Sequence, residues 1–309
     1  METSIGVDLG GTGLKLGECS RDGRLLRHRE LPSGRLSQAE AMEKIEAALA
    51  DYLAAPVGDP AAVGIGMIGR VDPARGVWLE IDPAHSEPIP AAARIKARFG
   101  LPCRIDNDVR TAARAEARFG AGRGYAHWIY INVGTGLAAA TISGGRVIVG
   151  GHCNAGEVGH TASGIAFRAP CVCGRPDCAE PVASGMGLDL SARLLAAEYP
   201  ATRLVIPENG RVRAEAIFAL AEDDALCRTL TDHAAAALAN LIMNLTRFSD
   251  PERIVLGGGL LTDDFLLDRI RARLHAHTMR YVTGGVVRTE LDPRTAGILG
   301  ACVHAEEGR

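Results

Sequence analysis

The sequence is short of lysine, of net charge and of long apolar runs. Lys15, Lys44 and Lys96 are the only lysines, so arginine carries nearly all of the positive charge. The 34 Lys+Arg residues almost balance 37 Asp+Glu, leaving a net charge of −3. No broad basic field is therefore present to attract nucleic acid or an anionic membrane. No apolar run reaches the ~18 to 20 residues that cross a bilayer. The opening Met1-Glu2-Thr3-Ser4 is acidic and polar and lacks the basic-then-apolar layout of a secretory signal. These absences lead to the expectation of a cytoplasmic protein whose partner is a small molecule.

What is present is a chain of 309 residues, 47% of them hydrophobic, which at about 150 residues per domain suggests two domains with full cores and no need of disulfide staples. Eight cysteines stand out against that background. A reducing compartment disfavours disulfides and leaves packing or metal binding as their uses. Cys19, Cys103, Cys153, Cys227 and Cys302 are scattered and read as small buried hydrophobes. Cys171, Cys173 and Cys178 are clustered and need another explanation.

Short apolar runs divided by Gly and Asp-Gly turns predict strands at 5–9, 14–17 and 24–31. Ser37 caps a predicted helix running to Leu53. A strand at 63–68, a helix at 89–99 closed by Gly100, and a strand at 103–105 follow. That last strand leads into Asp106-Asn107-Asp108 and a helix to about Phe119. The same order then recurs, with strands at 127–133, 137–143 and 146–149 around Gly134-Thr135-Gly136 and Gly144-Gly145, which suggests an internal duplication. Helices are expected near 188–198, 213–220, 223–248 and 264–275, with strands at 253–256 and 286–289 and a closing helix from Thr295. Two similar mixed halves argue for two α/β domains with a cleft between them, where a ligand would sit at the strand ends.

Asp8-Leu9-Gly10-Gly11-Thr12-Gly13-Leu14-Lys15 has the chemistry of an anion cradle. Glycines let backbone N–H groups approach phosphate, Thr12 and Lys15 add donors, and Asp8 can hold Mg²⁺ through water. A plain hairpin turn would look the same, and the spacing is not that of a Walker A loop. The second loop, Gly134-Thr135-Gly136, shifts the balance, because two such hairpins can grip one polyphosphate from both sides. Gly257-Gly258-Gly259, between a strand and a helix, is a third place for close approach, by a base or an α-phosphate. Gly64-Ile65-Gly66-Met67-Ile68-Gly69 has dinucleotide spacing, but Arg70-Val71-Asp72-Pro73 reads as a turn where a helix is required, so NAD binding is rejected.

Capping the helix would account for one residue of Asp106-Asn107-Asp108, and three polar groups exceed what a cap requires. A strand-end aspartate there can accept a proton from a substrate hydroxyl, which suits phosphoryl transfer. His160, Cys171, Cys173 and Cys178 form a soft ligand set that closes a tetrahedral, structural Zn²⁺ site. Glu157 and Glu180 flank that set and would be fixed by it.

Together these residues resemble the ROK family of bacterial sugar kinases, in the actin and hexokinase superfamily. The matches are Asp8-Leu9-Gly10-Gly11-Thr12, Asn107-Asp108, Ala121-Gly122-Arg123-Gly124, Gly134-Thr135-Gly136, Ala155-Gly156-Glu157-Val158-Gly159-His160, the Cys-x-Cys-Gly cluster with Glu180, Ala183-Ser184-Gly185, Gly257-Gly258-Gly259 and Ala296-Gly297-Ile298-Leu299-Gly300. The resemblance implies two actin-like, ribonuclease-H-like α/β domains, spanning 1–119 and 120–309, with the helix at about 295–309 able to pack back on the first. It implies ATP-dependent phosphorylation of a hexose, aminosugar or cyclitol, with Mg²⁺ and zinc, by a homodimer. Asp108 would be the general base, and Asn107, Asp108, Glu157, His160 and Glu180 would bind the sugar. Asp8, Gly10, Gly11, Thr12, Gly13, Lys15, Gly134, Thr135, Gly136, Gly257 and Gly258 would line the nucleotide path.

Two stretches depart from the family pattern. Met67-Ile68-Gly69-Arg70 lacks the usual Pro-Gly pair, and Glu80-Ile81-Asp82-Pro83-Ala84-His85 lacks the usual sugar-contacting asparagine. Asp177 also replaces a usual glycine before the last cysteine of the cluster. Two other readings remain open: a catalytically silent sugar sensor, and a polyphosphate-dependent kinase, to whose loop Thr12-Gly13-Leu14-Lys15 is similar. No DNA-binding domain is expected ahead of Asp8.

Overall fold

The computed structural model describes every residue except Thr12, Ser33, Arg35, 166–170, Gly308 and Arg309. Gly and Asp-Gly turns divide the first apolar runs into β1 (Glu2–Leu9), β2 (Gly13–Ser20) and β3 (Leu25–Pro32), an antiparallel meander. α1 (Gln38–Leu53) starts at a reciprocal capping box, in which Ser37 Oγ accepts from Glu40 N–H and the Glu40 carboxylate accepts from Ser37 N–H. β4 (Asp59–Met67) then pairs parallel with β1. β5 (Arg70–Asp72) and β6 (Val77–Glu80) form a small separate hairpin. This corrects the reading of Arg70-Val71-Asp72-Pro73 as a plain turn. Val71 and Trp78 are buried in the hairpin, so short alternating strands form where the turn residues Asp72 and Pro73 dominated the sequence pattern. α2 (Ala91–Phe99) ends on left-handed Gly100, β7 (Cys103–Asn107) pairs with β4, and α3 (Asp108–Phe119) follows without a gap.

β8 (Trp128–Val133), β9 (Leu137–Ser143) and β10 (Arg146–Val147) repeat the meander. β10 stops short of the expected Val149 because the chain turns there into a loop described below. α4 (Glu180–Ala183) and α5 (Gly185–Leu195) come next, the latter beginning earlier than its apolar pattern because Ser184 Oγ caps Gly187 N–H. α6 (Ala214–Leu220) and the long α7 (Ala225–Ser249) precede β11 (Arg253–Gly257). The helix expected over 264–275 is the shorter α8 (Phe265–Arg271), and a separate turn of helix, α9 (Ala276–Met279), follows after His275, which is extended. β12 (Val286–Arg288) and α10 (Ala296–Glu306) complete the chain.

The two five-stranded sheets have equivalent orders, β3-β2-β1-β4-β7 and β10-β9-β8-β11-β12. Each is an antiparallel meander extended by two parallel strands, the architecture expected from the repeated turn pattern. The chain divides into two compact units. The first holds Met1–Gly124, Val149–Ala155 and Glu290–Arg309, and the second Tyr125–Ile148 and Gly156–Thr289. The first core packs Ile5, Val7, Leu16, Ile45, Val63, Ile65 and Trp78. The second packs Ile129, Ile131, Leu188, Leu230, Leu238, Ile254 and Leu256. In the first unit α10 lies directly on β1 and β4. A Cβ at Gly64 would fall 1.8 Å from Ala301 O, so only glycine permits that approach.

Candidate active site

In the first unit the glycine loop is a tight hairpin, with Gly10 N–H donating to Gly13 O at 3.0 Å. Gly13 begins β2, exposed Gly11 sits at the tip, and Thr12 lies outside the described residues. Asp8 and Lys15 are directly opposed across β1 and β2, which places both side chains on one face of the ribbon. Burial raises the Asp8 carboxyl above the ordinary range; Lys15 pulls it down and Glu30 adds to the rise. The carboxylate lies against the first turn of α10, where a Cβ at Gly297 would stand 2.4 Å from it. Gly297 is thus needed for Asp8 to occupy its place, a role invisible from its position near the chain's end.

The three polar residues at the end of β7 have separate jobs. Asp106 is fully buried. Its Oδ1 accepts from Arg110 Nε at 2.5 Å and from Asn107 N–H at 2.8 Å. Its Oδ2 lies 2.7 Å from Arg114 Nη1, an ion-pair distance without hydrogen-bond alignment. Asn107 caps α3, its Oδ1 accepting from Val109 N–H at 3.0 Å and Arg110 N–H at 3.2 Å, while its Nδ2 donates to Gly69 O at 3.1 Å. Asp108 is half-buried at the first helical position, with Oδ1 2.9 Å from Val109 N and its carbonyl held by Thr111 Oγ1 at 2.7 Å. Asp106 is thus tied into the backbone and side chains around it, while Asp108 stands half-buried at the helix start. The two stretches that depart from the family pattern meet each other, Arg70 forking onto Glu80 at 2.8 and 2.9 Å.

In the second unit, β8 and β11 are parallel neighbours, and both glycine turns follow their C-terminal ends. Gly134 N–H donates to Gly136 O at 3.0 Å, and the start of α5 holds the loop from outside, Gly185 N–H to Gly134 O at 2.8 Å and Met186 N–H to Thr135 O at 3.1 Å. Gly257 packs over the Tyr130 ring. Gly258, at φ +96°, abuts Val133 O, where a Cβ would lie at 2.5 Å. Gly259 opens a cavity of about 210 Å³ lined by Leu260, Thr262, Phe218 and Phe265. The sequence pattern gave no sign of this cavity, because Phe218 and Phe265 come from different helices.

His160, Cys171, Cys173 and Cys178 converge, their ligand atoms all within 4.8 Å of one another. Cys171 Sγ is 3.3 Å from His160 Nδ1, and Cys173 Sγ is 3.5 Å from Cys178 Sγ. A tetrahedral zinc with its usual bond lengths has ligand–ligand edges of about 3.3 to 3.8 Å, so these pairs already have the required spacing. Burial and the neighbouring thiols push Cys178 up to about 12, while the Arg175 N–H lowers exposed Cys173. A divalent cation is what makes such a set of thiolates stable together. Among the described residues the donors fit zinc. Glu157 is exposed and immediately precedes the 3-10 turn Val158–His160. Half-buried Glu180 opens α4 and accepts from Leu137 N–H at 2.9 Å.

Two glycine hairpins on equivalent meander sheets, with an acidic helix start and a Cys₃His cluster, define an actin-like two-unit α/β protein. The chain belongs to the ROK family, whose model matches residues 4–307. It is 30% identical to a glucokinase of Streptomyces coelicolor, over 99% of this chain and 98% of that one. It is 28% identical to an N-acetylmannosamine kinase of Salmonella typhimurium, over 98% of each. Its fold superposes with a TM-score of 0.81 on a ROK family glucokinase from Streptomyces griseus solved with glucose and AMPPNP, at 28% identity, covering 99% of this chain and 100% of that one.

Proposed function

We infer that this protein is an ATP-dependent sugar kinase, transferring the γ-phosphoryl group to a hydroxyl of a hexose or a related aminosugar or cyclitol. The observation that carries this reading is Asp108, a half-buried carboxylate at a helix start whose two polar neighbours are already committed to structure. As the sugar oxygen attacks phosphorus, Asp108 accepts the hydroxyl proton and the bond to the β-phosphate breaks, releasing ADP. The named activities of the relatives in glucose and N-acetylmannosamine phosphorylation support the class and leave the particular sugar open.

Glu157, Glu180 and His160 are the groups we assign to sugar hydroxyls, with Asn107 as both cap and contact. His160 turns Nδ1 toward the thiols, leaving Nε2 for substrate, so a zinc held by this set would orient a substrate ligand. We assign phosphate contacts to Gly10, Gly11, Thr12, Gly13 and Lys15 in the first unit and to Gly134–Gly136 in the second, and the base to the cavity beyond Gly257 and Gly258. Asp8 is the residue to hold Mg²⁺, which when bound neutralises phosphate charge. A homodimer is part of the same reading.

A coupled ADP-release assay over a panel of hexoses, aminosugars and cyclitols with ATP-Mg tests it. ADP release with at least one acceptor is expected. Sugar binding by titration calorimetry without release from ATP would leave a sensor, and turnover with polyphosphate alone would replace the donor.

A further inference from the structure

Residues Val149–Ala155 belong to the first unit, although the chain on both sides belongs to the second. The segment is a closed loop: Ala155 N–H donates to Val149 O at 3.2 Å, and Cys153 N–H to Gly150 O at 3.4 Å. Cys153 adopts φ +61°, a left-handed conformation that is strained for a residue with a side chain. Something must hold such a loop, and two guanidinium groups do so by its carbonyls. Arg70 Nη1 donates to His152 O at 3.2 Å, and Arg110 Nη1 to Cys153 O at 3.4 Å.

Neither arginine depends on the loop for its own position. Arg70 is fixed by its two-point contact with Glu80. Arg110, almost wholly buried, is fixed by Asp106 and by Val71 O at 2.9 Å. Planar guanidinium forks held in this way are preorganised to receive a third acceptor. Immediately past the loop, Gly156 O accepts from Ala139 N–H at 2.9 Å on β9, and Glu157 is the next residue. Arg110 also sits two positions after Asp108 and grips Asp106 two positions before it.

We propose that Arg70 and Arg110 are positioning residues, which clamp loop Val149–Ala155 by its carbonyls and so steady the chain that runs directly into Glu157, a residue assigned to the acceptor sugar. Arg110 in addition fixes the strand end that presents Asp108. The proposal rests on the sugar-kinase reading for its functional consequence, though not for the clamp itself.

The test compares wild type, Arg70→Gln, Arg70→Lys and Arg110→Lys by amide hydrogen exchange and by steady-state kinetics with ATP-Mg and the best acceptor. Exchange across residues 149–157 is expected to speed up in Arg70→Gln, with acceptor KM raised about tenfold and kcat and ATP KM within about twofold, as for a misplaced binding group. Arg70→Lys keeps the charge without the fork and should fall between. Arg110→Lys should raise acceptor KM and lower kcat together. Unchanged exchange in Arg70→Gln would overturn the clamp. Faster exchange with unchanged acceptor KM, or equal rises in both KM values, would overturn its role at the sugar. If Arg110→Lys does not fold, the two Arg70 variants decide the matter alone. Exchange is read without turnover, so a wild type that phosphorylates nothing would strike the kinase reading while the clamp is still judged.

Discussion

Glu180 and Leu137 are joined across 43 positions of sequence by a 2.9 Å hydrogen bond from the Leu137 N–H to Glu180 Oε2. The same oxygen would stand 2.8 Å from a Cβ at Gly136. The carboxylate two residues beyond the last cysteine of the cluster is thereby tied to the second glycine hairpin. The segment that follows the Cys₃His cluster and the Gly134–Gly136 hairpin are therefore in direct contact within this unit.

That link makes Glu180 sensitive to more than charge. Glu180→Gln retains an oxygen that can accept from Leu137 N–H; Glu180→Ala leaves that N–H, at the start of a buried strand, without its acceptor. Urea unfolding should show a loss of about 1 to 3 kcal/mol for the alanine variant and less for glutamine. Both should raise acceptor KM. An alanine variant as stable as wild type would remove the link.

The cysteine cluster predicts one zinc per chain by elemental analysis of the purified protein. Cys173→Ser and Cys178→Ser should lose the metal and lower the melting temperature, because metal-binding energy contributes to folding. Stripping with a chelator should weaken sugar binding through His160 and Glu180 more than nucleotide binding. Protein containing no zinc, and unaffected by chelator, would refute the assignment.

Separate roles for the acidic pair beside α3 give opposite signatures. Asp108→Asn should lower kcat by about 10²- to 10⁴-fold while leaving sugar affinity and stability near wild type. Asp106→Asn removes the shared partner of two arginines and should cost about 3 to 5 kcal/mol in stability, as expected for breaking a buried ion pair. Turnover that survives Asp108→Asn would exclude it as the base.

The parts of this protein legible in its sequence are those whose chemistry lies within a few residues. Gly134-Thr135-Gly136, Cys171-Val172-Cys173 and the Ser37 cap declare themselves by local spacing, and the repeated turn pattern was enough to anticipate two equivalent sheets. The hairpin of β5 and β6 was hidden because its strands are shorter than the window in which alternation shows. Local spacing left Asp106 as one of three adjacent polar groups, and the choice of Asp108 came from the family resemblance; the contacts of Asp106 with Arg110 and Arg114 are what spacing could not show. Gly297 and Gly64 serve close approaches between segments far apart in the chain, and Arg110 reaches Cys153 O across 43 residues. Such pairings are properties of the folded chain and leave no periodic trace.

Acid stability should depend on Asp224, the buried N-cap of α7. Burial alone would raise its carboxyl. The Cys227 N–H at 3.0 Å, the Arg203 N–H at 2.6 Å and the Thr202 hydroxyl at 2.9 Å outweigh burial and hold it down at about 2. Its folded value lies below the ordinary 3.8, so ionised Asp224 stabilises the fold at all pH values above that ordinary value. The contribution, about 2 kcal/mol at neutral pH, disappears as pH falls through the folded value, with roughly half gone by pH 3. Asp224→Asn can still cap the helix but carries no titrating charge. Urea unfolding at pH 7, 5, 4 and 3 should therefore show the variant less stable at neutral pH and the gap to wild type narrowing below pH 4. A gap that stays constant down to pH 3 would mean that the Asp224 proton is not linked to folding.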